Sequence, residues 1–442
     1  MLWKRVVTWW LTALFMVSTV PAGDMTATET DLGFGDSALI AAAVSALTPT
    51  PEATATPSPT PEPTATPRPM AEDITMDCAL NGYTGAMDLR DGAYKSYWSS
   101  TMQNGVHSLT ITAPAGKTIG GVLIRWKSWP LAVAAQVMKN GRWTAVSVCE
   151  ADFMAQYIEI PGGQEEIRIV SRDDNGRTKL EISEITVLTP GELPADIPVF
   201  RKAPEKVDML LIATHPDDEV LWFGGLLATY AGERRKDVLV ACGAHNNYYR
   251  RLELCDCLWA MGVDIYPHFM RYSDVTYADP MQILDAWGGR NKVRGDLVAL
   301  YRQYRPDVLV LQAVGGESGH PAHRTLSQAA REAVELAASP TEFPQSAEAY
   351  GAWDVPKVYV HLWEENRIRM DWHVPLERFG GLTGMEVAEI GFDKHISQRD
   401  KEKYSIHDGG DTDCSLFGLF HTTVGPDQEK NDLFENIPVR GE

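Results

Sequence analysis

The sequence predicts two folded parts in series, an all-β sandwich at 71–190 followed by an α/β domain at 200–442, and three observations carry that prediction. Between Asp77 and Leu188, short alternating runs are separated by Gly, Asn and Pro turns. From Val207 to about Leu362, apolar runs alternate with stretches of helical spacing, the pattern of a Rossmann-like parallel sheet. Ahead of both, Thr48 to Pro69 is little but Pro, Thr, Ala, Ser and Glu, a composition that cannot bury a core. A chain of 442 residues, 44% of them hydrophobic and 9% aromatic, is long enough for two packed cores.

The elements follow in chain order. Lys4 and Arg5 precede an apolar run from Val6 to Val20, and Val20-Pro21-Ala22 offers small residues for cleavage, so 1–22 reads as a signal peptide and the protein as secreted or cell-surface associated. An uncleaved anchor is the alternative, but the run is shorter than the roughly 20 residues that span a bilayer. A second apolar piece, Ala38 to Leu47, is also too short to span. Residues 23–70 form a Pro/Thr-rich linker whose polyproline-like part, at ~3.1 Å per residue, reaches roughly 70 Å.

Seven strands are expected in the sandwich: Ser108 to Thr112, Gly121 to Trp126, Ala134 to Met138, Trp143 to Val148, Tyr157 to Ile160, Ile167 to Val170 and Leu180 to Leu188. Strand aromatics usually pack inward, so Trp98, Trp126, Trp129 and Trp143 are core residues first and sugar-stacking candidates second. In the α/β part the strands are Val207 to Ala213, Asp237 to Cys242, Ile265 to Met270, Val308 to Ala313 and Val358 to Leu362, with a helix over Val220 to Glu233. No Gly-x-Gly-x-x-Gly follows the first strand, so a dinucleotide is not expected. Trp363 to Glu442 is loop-rich and is expected to build a substrate rim.

A formal charge of -20 excludes nucleic acid as a partner, because nothing basic and aromatic offsets the repulsion from a polyphosphate. It is equally unfriendly to other anionic polymers unless a cleft is locally basic.

The chemistry is concentrated in two tracts. Thr214-His215-Pro216-Asp217-Asp218-Glu219 directly follows the first α/β strand, and Gly319-His320-Pro321-Ala322-His323-Arg324 follows the run Val308 to Ala313. Ligand sites of open α/β sheets lie at the carboxyl ends of strands. Acidic residues ahead of a helix also satisfy free amides and the helix dipole, and on the first tract alone that capping reading competes evenly with a site. The second tract tips the balance, since two histidines three residues apart face one side of the chain. Two His and one carboxylate with an open position is a known catalytic zinc arrangement. His215, Asp218 and His323 can supply it, Asp217 can take a proton from the attacking water, and Glu219 would support the shell from behind.

Four elements in order resemble the PIG-L/LmbE-like deacetylases: the strand with His215-Pro216-Asp217-Asp218-Glu219, the Arg250-x-x-Glu253 helix ending in Met261-Gly262-Val263, Gly319-His320-Pro321-Ala322-His323, and His395-Ile396-Ser397-Gln398. The resemblance runs from about Glu205 to the C-terminus and departs from the family at Ala322, where Asp is usual. It implies a zinc-dependent N-deacetylase, a hydrolase of linear amides, acting on N-acetylglucosamine derivatives. His215, Asp218 and His323 would bind Zn2+, Asp217 would be the general base, and His320 would steady the oxyanion and protonate the departing amine. Arg250 would bind substrate or pair with Glu253 on a helix surface; Asp274 sits where relatives place a sugar-contacting acid; His395 would line the pocket. Iron or another divalent ion could replace zinc in such a site. His245, His268, His361, His373, His407 and His421 have no spacing that singles them out and read as structural.

Asp88-Leu89-Arg90-Asp91-Gly92, Tyr97-Trp98-Ser99-Ser100 and Ile182-Ser183-Glu184-Ile185-Thr186-Val187 resemble a discoidin or galactose-binding-like jelly roll, which implies glycan binding at loop tips. Six cysteines in an exported chain make disulfides plausible, with Cys78 and Cys149 the first pair to expect and free buried thiols the alternative for the rest. The combined reading is an exported deacetylase whose carbohydrate substrate lies on a cell-wall or host glycan. Two alternatives keep the same fold: an inactive glycan-binding protein, and a zinc amidase acting on a non-sugar amide.

Overall fold

The computed structural model describes residues 68–438 except 82–85, 130, 173–175 and 400–408. The signal peptide, the linker up to residue 67, the apolar piece at 38–47 and His407 lie outside the described residues. Thr66–Glu442 forms one compact unit with a mixed α/β composition and several sheets. Among the described residues no helix is long and apolar enough to cross a membrane.

The N-terminal part contains strands β1 (Ala79–Asn81), β2 (Trp98–Ser99), β3 (Met102–Gln103), β4 (Val106–Thr112), β5 (Ile119–Trp126), β6 (Val133–Lys139), β7 (Arg142–Cys149), β8 (Ala155–Gln164), β9 (Glu166–Ser171) and β10 (Glu181–Leu188). They form two antiparallel sheets, β1-β4-β9-β6-β7 with β3 on β4, and β2-β10-β5-β8. The expected seven runs fall on β4 to β10. Period-two burial explains most of them: Leu109 and Ile111 of β4 and Ile158 and Ile160 of β8 are buried, while Glu159 between the latter is exposed. Strand β5 departs from that pattern because it is buried along its whole length. The C-terminal part covers its second face, where Arg125 pairs with Asp256 at 3.2 Å.

All six cysteines carry free thiols, which corrects the expected Cys78–Cys149 bridge. Cys78 immediately precedes β1 and Cys149 ends β7, the two opposite edges of one five-strand path. Four strand spacings of ~4.8 Å put them far beyond the ~7 Å Cα separation that a disulfide tolerates.

The C-terminal part adds strands β11 (Met209–Ala213), β12 (Val238–Ala244), β13 (His268–Tyr272), β14 (Val308–Leu311), β15 (Lys357–His361), β16 (Ile368–Arg369) and β17 (Leu416–Thr422). Its helices are α1 (Asp218–Leu221), α2 (Gly224–Leu227), α3 (Tyr248–Ala260), α4 (Pro280–Ala286), α5 (Arg290–Tyr304), α6 (Pro321–Ala338), α7 (Pro344–Tyr350), α8 (Gly384–Phe392) and α9 (Ile396–Arg399). The sheet order is β13-β12-β11-β14-β15-β17-β16, parallel through β15 and antiparallel thereafter. The five expected strands are its parallel members, and the wholly apolar β11, β12 and β14 fit burial on both faces. β13 begins later than expected because Ile265 instead bridges Arg201.

Two regions differ from the sequence reading. The single helix expected over 220–233 is broken into α1, α2 and a π-turn over Ala228–Glu233. The glycine pair there serves close approach: a Cβ on Gly224 would meet Ala388 Cβ at 2.4 Å, and one on Gly225 would meet the Trp372 ring at 2.6 Å. The supposedly loop-rich remainder contributes α8, α9 and the two antiparallel strands that extend the sheet.

Candidate active site

Strand β11 lies between β12 and β14, so the chain leaves it in one direction and the later strands are added in the other. A crevice opens at such a reversal, beyond the carboxyl ends of the two strands. Both histidine tracts are delivered there, one after β11 and one after β14 at the start of α6.

The site is built around a triangle of donors. His215 Nδ1 is 2.9 Å from His323 Nε2, His323 Nε2 is 3.1 Å from Asp218 Oδ2, and His215 Nδ1 is 3.6 Å from the same oxygen. All three residues are buried. Each is held from behind. Asp218 Oδ2 accepts from the His215 amide at 2.8 Å and from Gln312 Nε2 at 3.2 Å, and Thr214 Oγ1 donates to Gln312 Oε1. His323 Nδ1 is 3.1 Å from the Glu317 carbonyl, which can only accept; the ring therefore donates from Nδ1 and turns Nε2 into the triangle. The Glu317 carboxylate in turn takes the Ala313 amide at 2.9 Å and His361 Nδ1 at 2.9 Å.

Asp217 and Arg250 stand beside the triangle, with Arg250 Nη2 at 2.9 Å from Asp217 Oδ2 and also donating to the Pro216 carbonyl. Asp217 has φ 120°, in the region that disfavours a side chain. Such strain costs ~1–3 kcal/mol and persists only where neighbours impose it. Here they include Glu219, whose Oε2 accepts the Asp217 amide at 2.8 Å while Oε1 binds His395 Nε2 at 2.6 Å. Asp274 reaches in from the end of β13, 3.4 Å from His215 Nε2 and 4.0 Å from Arg250 Nη1. Asn246 fixes it through paired bonds of 2.6 and 3.0 Å to its backbone. His320 is exposed at the mouth, its ring centroid 5.1 Å from that of His215, and its Nδ1 accepts from the Ala322 amide at 3.2 Å.

Seven of the eight residues singled out from sequence thus converge, and one does not. His395 is wholly buried behind Glu219 and presents nothing to a pocket surface, a correction to its expected place on the wall. Arg250 does not form the surface pair with Glu253 either. Glu253 is buried and receives the amide of Ser397 at 2.8 Å and its hydroxyl at 2.6 Å, which ties α3 to α9. Gln312, Glu317, His361 and Asn246 had gone unnoticed as supports. Gln312 and Glu317 both precede the second tract in sequence; Gln312 is the one polar residue of the run Val308 to Ala313, while nothing local distinguishes Glu317 from an ordinary loop polar residue.

The charges are strongly coupled to burial. Burial pushes Asp217 up to about 7, against the pull of Arg250. His215 is pulled down by burial, but hydrogen bonds and charges from Asp218 and Asp274 outweigh it and lift the ring to about 9. Asp218 is raised by burial yet held well below the carboxylate range by His323 and His215. His320 is lowered by burial and by the two neighbouring imidazoles. Burial likewise opposes charge on His395, and Glu219 reverses it.

Whether this set suits a metal ion follows from its spacing. A tetrahedral ion with bonds of ~2.0–2.2 Å keeps its ligand atoms ~3.3 Å apart, and the triangle spans 2.9 to 3.6 Å. His215, His320 and His323 moreover offer nitrogens within 4.8 Å of one another. The donors fit a divalent cation.

Residues 210–334 match the family model described as PIG-L: GlcNAc-PI de-N-acetylase. The 1D-myo-inositol 2-acetamido-2-deoxy-alpha-D-glucopyranoside deacetylase of Streptomyces avermitilis is 31% identical over 211 residues, 40% of this chain and 70% of the relative. Deacetylase 1 of the same description from Catenulispora acidiphila is 31% identical over 181 residues, 34% of this chain and 54% of the relative. The chain therefore spans between about half and 70% of the length of these curated relatives. Among solved structures, the N,N'-diacetylchitobiose deacetylase of Pyrococcus horikoshii in complex with an inhibitor aligns with 18% identity over 44% of this chain and 74% of that one, at a TM-score of 0.34.

Proposed function

The chain belongs to the PIG-L (GlcNAc-PI de-N-acetylase) family, and from that premise we propose that it is a zinc-dependent N-deacetylase of N-acetylglucosamine-type sugars. The observation that carries the proposal is the His215, His323, Asp218 triangle with the strained Asp217 beside it.

His215, His323 and Asp218 would hold the ion, two imidazoles and one carboxylate being a set that suits catalytic zinc. When bound, the ion supplies a Lewis acid for the amide carbonyl and favours ionisation of water at neutral pH. The remaining work falls to side chains. Asp217 takes a proton from the attacking water as the oxygen–carbonyl carbon bond forms. It returns that proton to the nitrogen as the C–N bond breaks, leaving acetate and a free amine. Arg250 keeps the Asp217 carboxylate in place.

His320 serves as a hydrogen-bond donor to the developing oxyanion. Its Nδ1 accepts the Ala322 amide, which puts the proton of the neutral ring on Nε2. Because a protonated Nδ1 would face that N–H donor, we give the delivery of the amine's proton to Asp217 rather than to His320. Ala322, at the position where the sequence departs from the family motif it resembles, still supplies its backbone amide to this arrangement.

We read the seven-stranded sheet as Rossmann-like and the two antiparallel sheets as a galactose-binding-like sandwich, with the boundary between the parts near 190–200. Export, and with it a cell-wall or host glycan as the substrate's setting, is inferred from Lys4, Arg5 and the Val6–Val20 run.

The test is acetate release from a panel of N-acetylglucosamine-containing sugars by zinc-loaded protein, with a chelated and re-zincated sample beside it. Asp217→Asn should lower kcat by roughly 10²–10⁴ while metal content stays unchanged. A fully metallated protein that releases acetate from none of the panel would overturn the proposal.

A further inference from the structure

Away from the donor triangle, a cavity of about 1330 Å³ runs between the two parts of the chain. It exceeds the ~300–1,000 Å³ typical of a site for one small molecule. One wall is β13, the edge strand of the seven-stranded sheet, with the preceding Tyr266 and Pro267; the other comes from Trp129 and Ala151 to Phe153 of the N-terminal part. One end lies at Arg271, three residues before Asp274. The other lies at Lys206 and Trp353, ahead of β11 and β15 and thus at the opposite end of the sheet from the histidines.

Its lining has two properties that rarely coincide. Four aromatic side chains, Trp129, Phe153, Tyr266 and Trp353, line it and are half-buried; Arg251 and Arg271 lie over the Trp129 ring at 4.5 and 3.8 Å, and Lys206 and Arg305 stand further from the Trp353 ring, at 5.5 and 6.0 Å. The rings are set in place: Phe153 and Tyr266 pack at 4.9 Å between centroids, and the Tyr266 hydroxyl accepts the Met154 amide at 2.9 Å. The cavity is also basic in a chain of net charge -20: Lys202, Lys206, Arg271, Arg302 and Arg305 line it against Asp152 and Glu205, and since Lys206 pairs with Asp307 at 2.7 Å and the buried Arg302 is bound by backbone carbonyls, the excess positive charge rests on Arg271 and Arg305. Of the two acids, Asp152 is already paired with Lys202 at 2.9 Å. Arg271 is exposed and lies 3.8 Å over the Trp129 ring.

Exposed rings stack on sugar faces, while fixed cations in a concave, low-dielectric groove select anions. We propose that this groove binds an extended acidic glycan, a chain of sugars bearing carboxylates. The sugars stack on Phe153, Tyr266 and Trp353, and Arg271, held over the Trp129 ring, receives a carboxylate near the end closer to Asp274. Only the assignment of that glycan as the carrier of the reacting acetamide rests on the deacetylase reading; the binding itself does not.

The test uses calorimetry on the full chain with two probes of equal length, an octasaccharide of alternating N-acetylglucosamine and glucuronic acid and the neutral octasaccharide of N-acetylglucosamine. The acidic chain should bind at least tenfold more tightly than the neutral one, and less so as salt is raised from about 50 to 300 mM. Arg271→Gln and Trp353→Ala, each checked for native thermal unfolding, should weaken it by about tenfold each. Equal binding of the two probes, no binding of either, or indifference to both substitutions would overturn the groove. Acetate release is measured in parallel: binding that obeys the pattern without turnover supports the groove and removes the deacetylase reading. Turnover of simple N-acetylglucosamine without octasaccharide binding does the reverse.

Discussion

Glu219 offers the sharpest test of how the site is supported. It is wholly buried, and its two oxygens hold the Asp217 amide at 2.8 Å and His395 Nε2 at 2.6 Å. Glu219→Ala removes both. It leaves a buried N–H and a buried imidazole unpaired, at ~1–3 kcal/mol each, in line with the ~3–5 kcal/mol typical of breaking a buried ion pair from one side. For a unit spanning Thr66–Glu442, an unfolding entropy of ~2.1 cal/mol/K per residue gives ~0.8 kcal/mol/K, so Tm should fall by about 4–6 °C. The freed Asp217 backbone can relax from φ 120°, and displacement of a catalytic group by ~1 Å costs about 100-fold in rate. Glu219→Gln is the discriminating partner. Its oxygen can keep the Asp217 amide while its NH₂ donates to a neutral His395, so Tm should drop by less than about 2 °C and kcat by less than about tenfold. Scanning calorimetry, metal content and acetate release are measured on both. An Ala variant as stable and active as the native chain would refute the reasoning, and so would a Gln variant as damaged as Ala.

Other outcomes follow from separate parts of the molecule. Gly316 has φ 75°, and a Cβ there would lie 2.6 Å from the His320 carbonyl oxygen and 2.8 Å from the Arg324 amide; Gly316→Ala should shift the histidine turn, seen as metal lost on dialysis and kcat reduced about 10- to 100-fold. Burial, with Arg251 and Arg271 adding to it, drops His245 to about 4. The folded state then holds fewer protons than the unfolded chain between about pH 6.5 and 4, so this contribution is intact above pH 6.5 and is lost as pH falls through that window, by about 3 kcal/mol at most. Urea unfolding at pH 7, 5.5 and 4 should show a shallower decline in His245→Gln, and an unchanged slope would exclude His245 as its source. Burial also pushes the Cys78 thiol up to about 11; a reductant should leave Tm unchanged, whereas a fall would reveal a bridge.

Much of this arrangement is legible in the chain. The apolar runs that became β11, β12 and β14 announce themselves because a strand buried on both faces has few polar positions to interrupt it. The two histidine tracts are readable because ligand spacing is a local property, set by chain geometry over three or four residues. The seven N-terminal strands were legible by alternation, though β5 gives no hint of why it lacks a solvent face.

What only the tertiary structure decided concerns partners distant in sequence. His215 and His323 meet because β11 and β14 are neighbours in the sheet, an ordering set by the packing of the whole domain and carried by neither tract. Glu317 and His361 became supports, Arg250 exchanged an expected surface partner for Asp217, and His395 went inside instead of to the pocket wall for the same reason. The bridge expected between Cys78 and Cys149 failed because strand order put them at opposite sheet edges. Periodicity and motif spacing record what a segment is, because they arise from contacts within it. Which segments touch is set by long-range burial, and that is where the donor triangle and the basic aromatic groove come from.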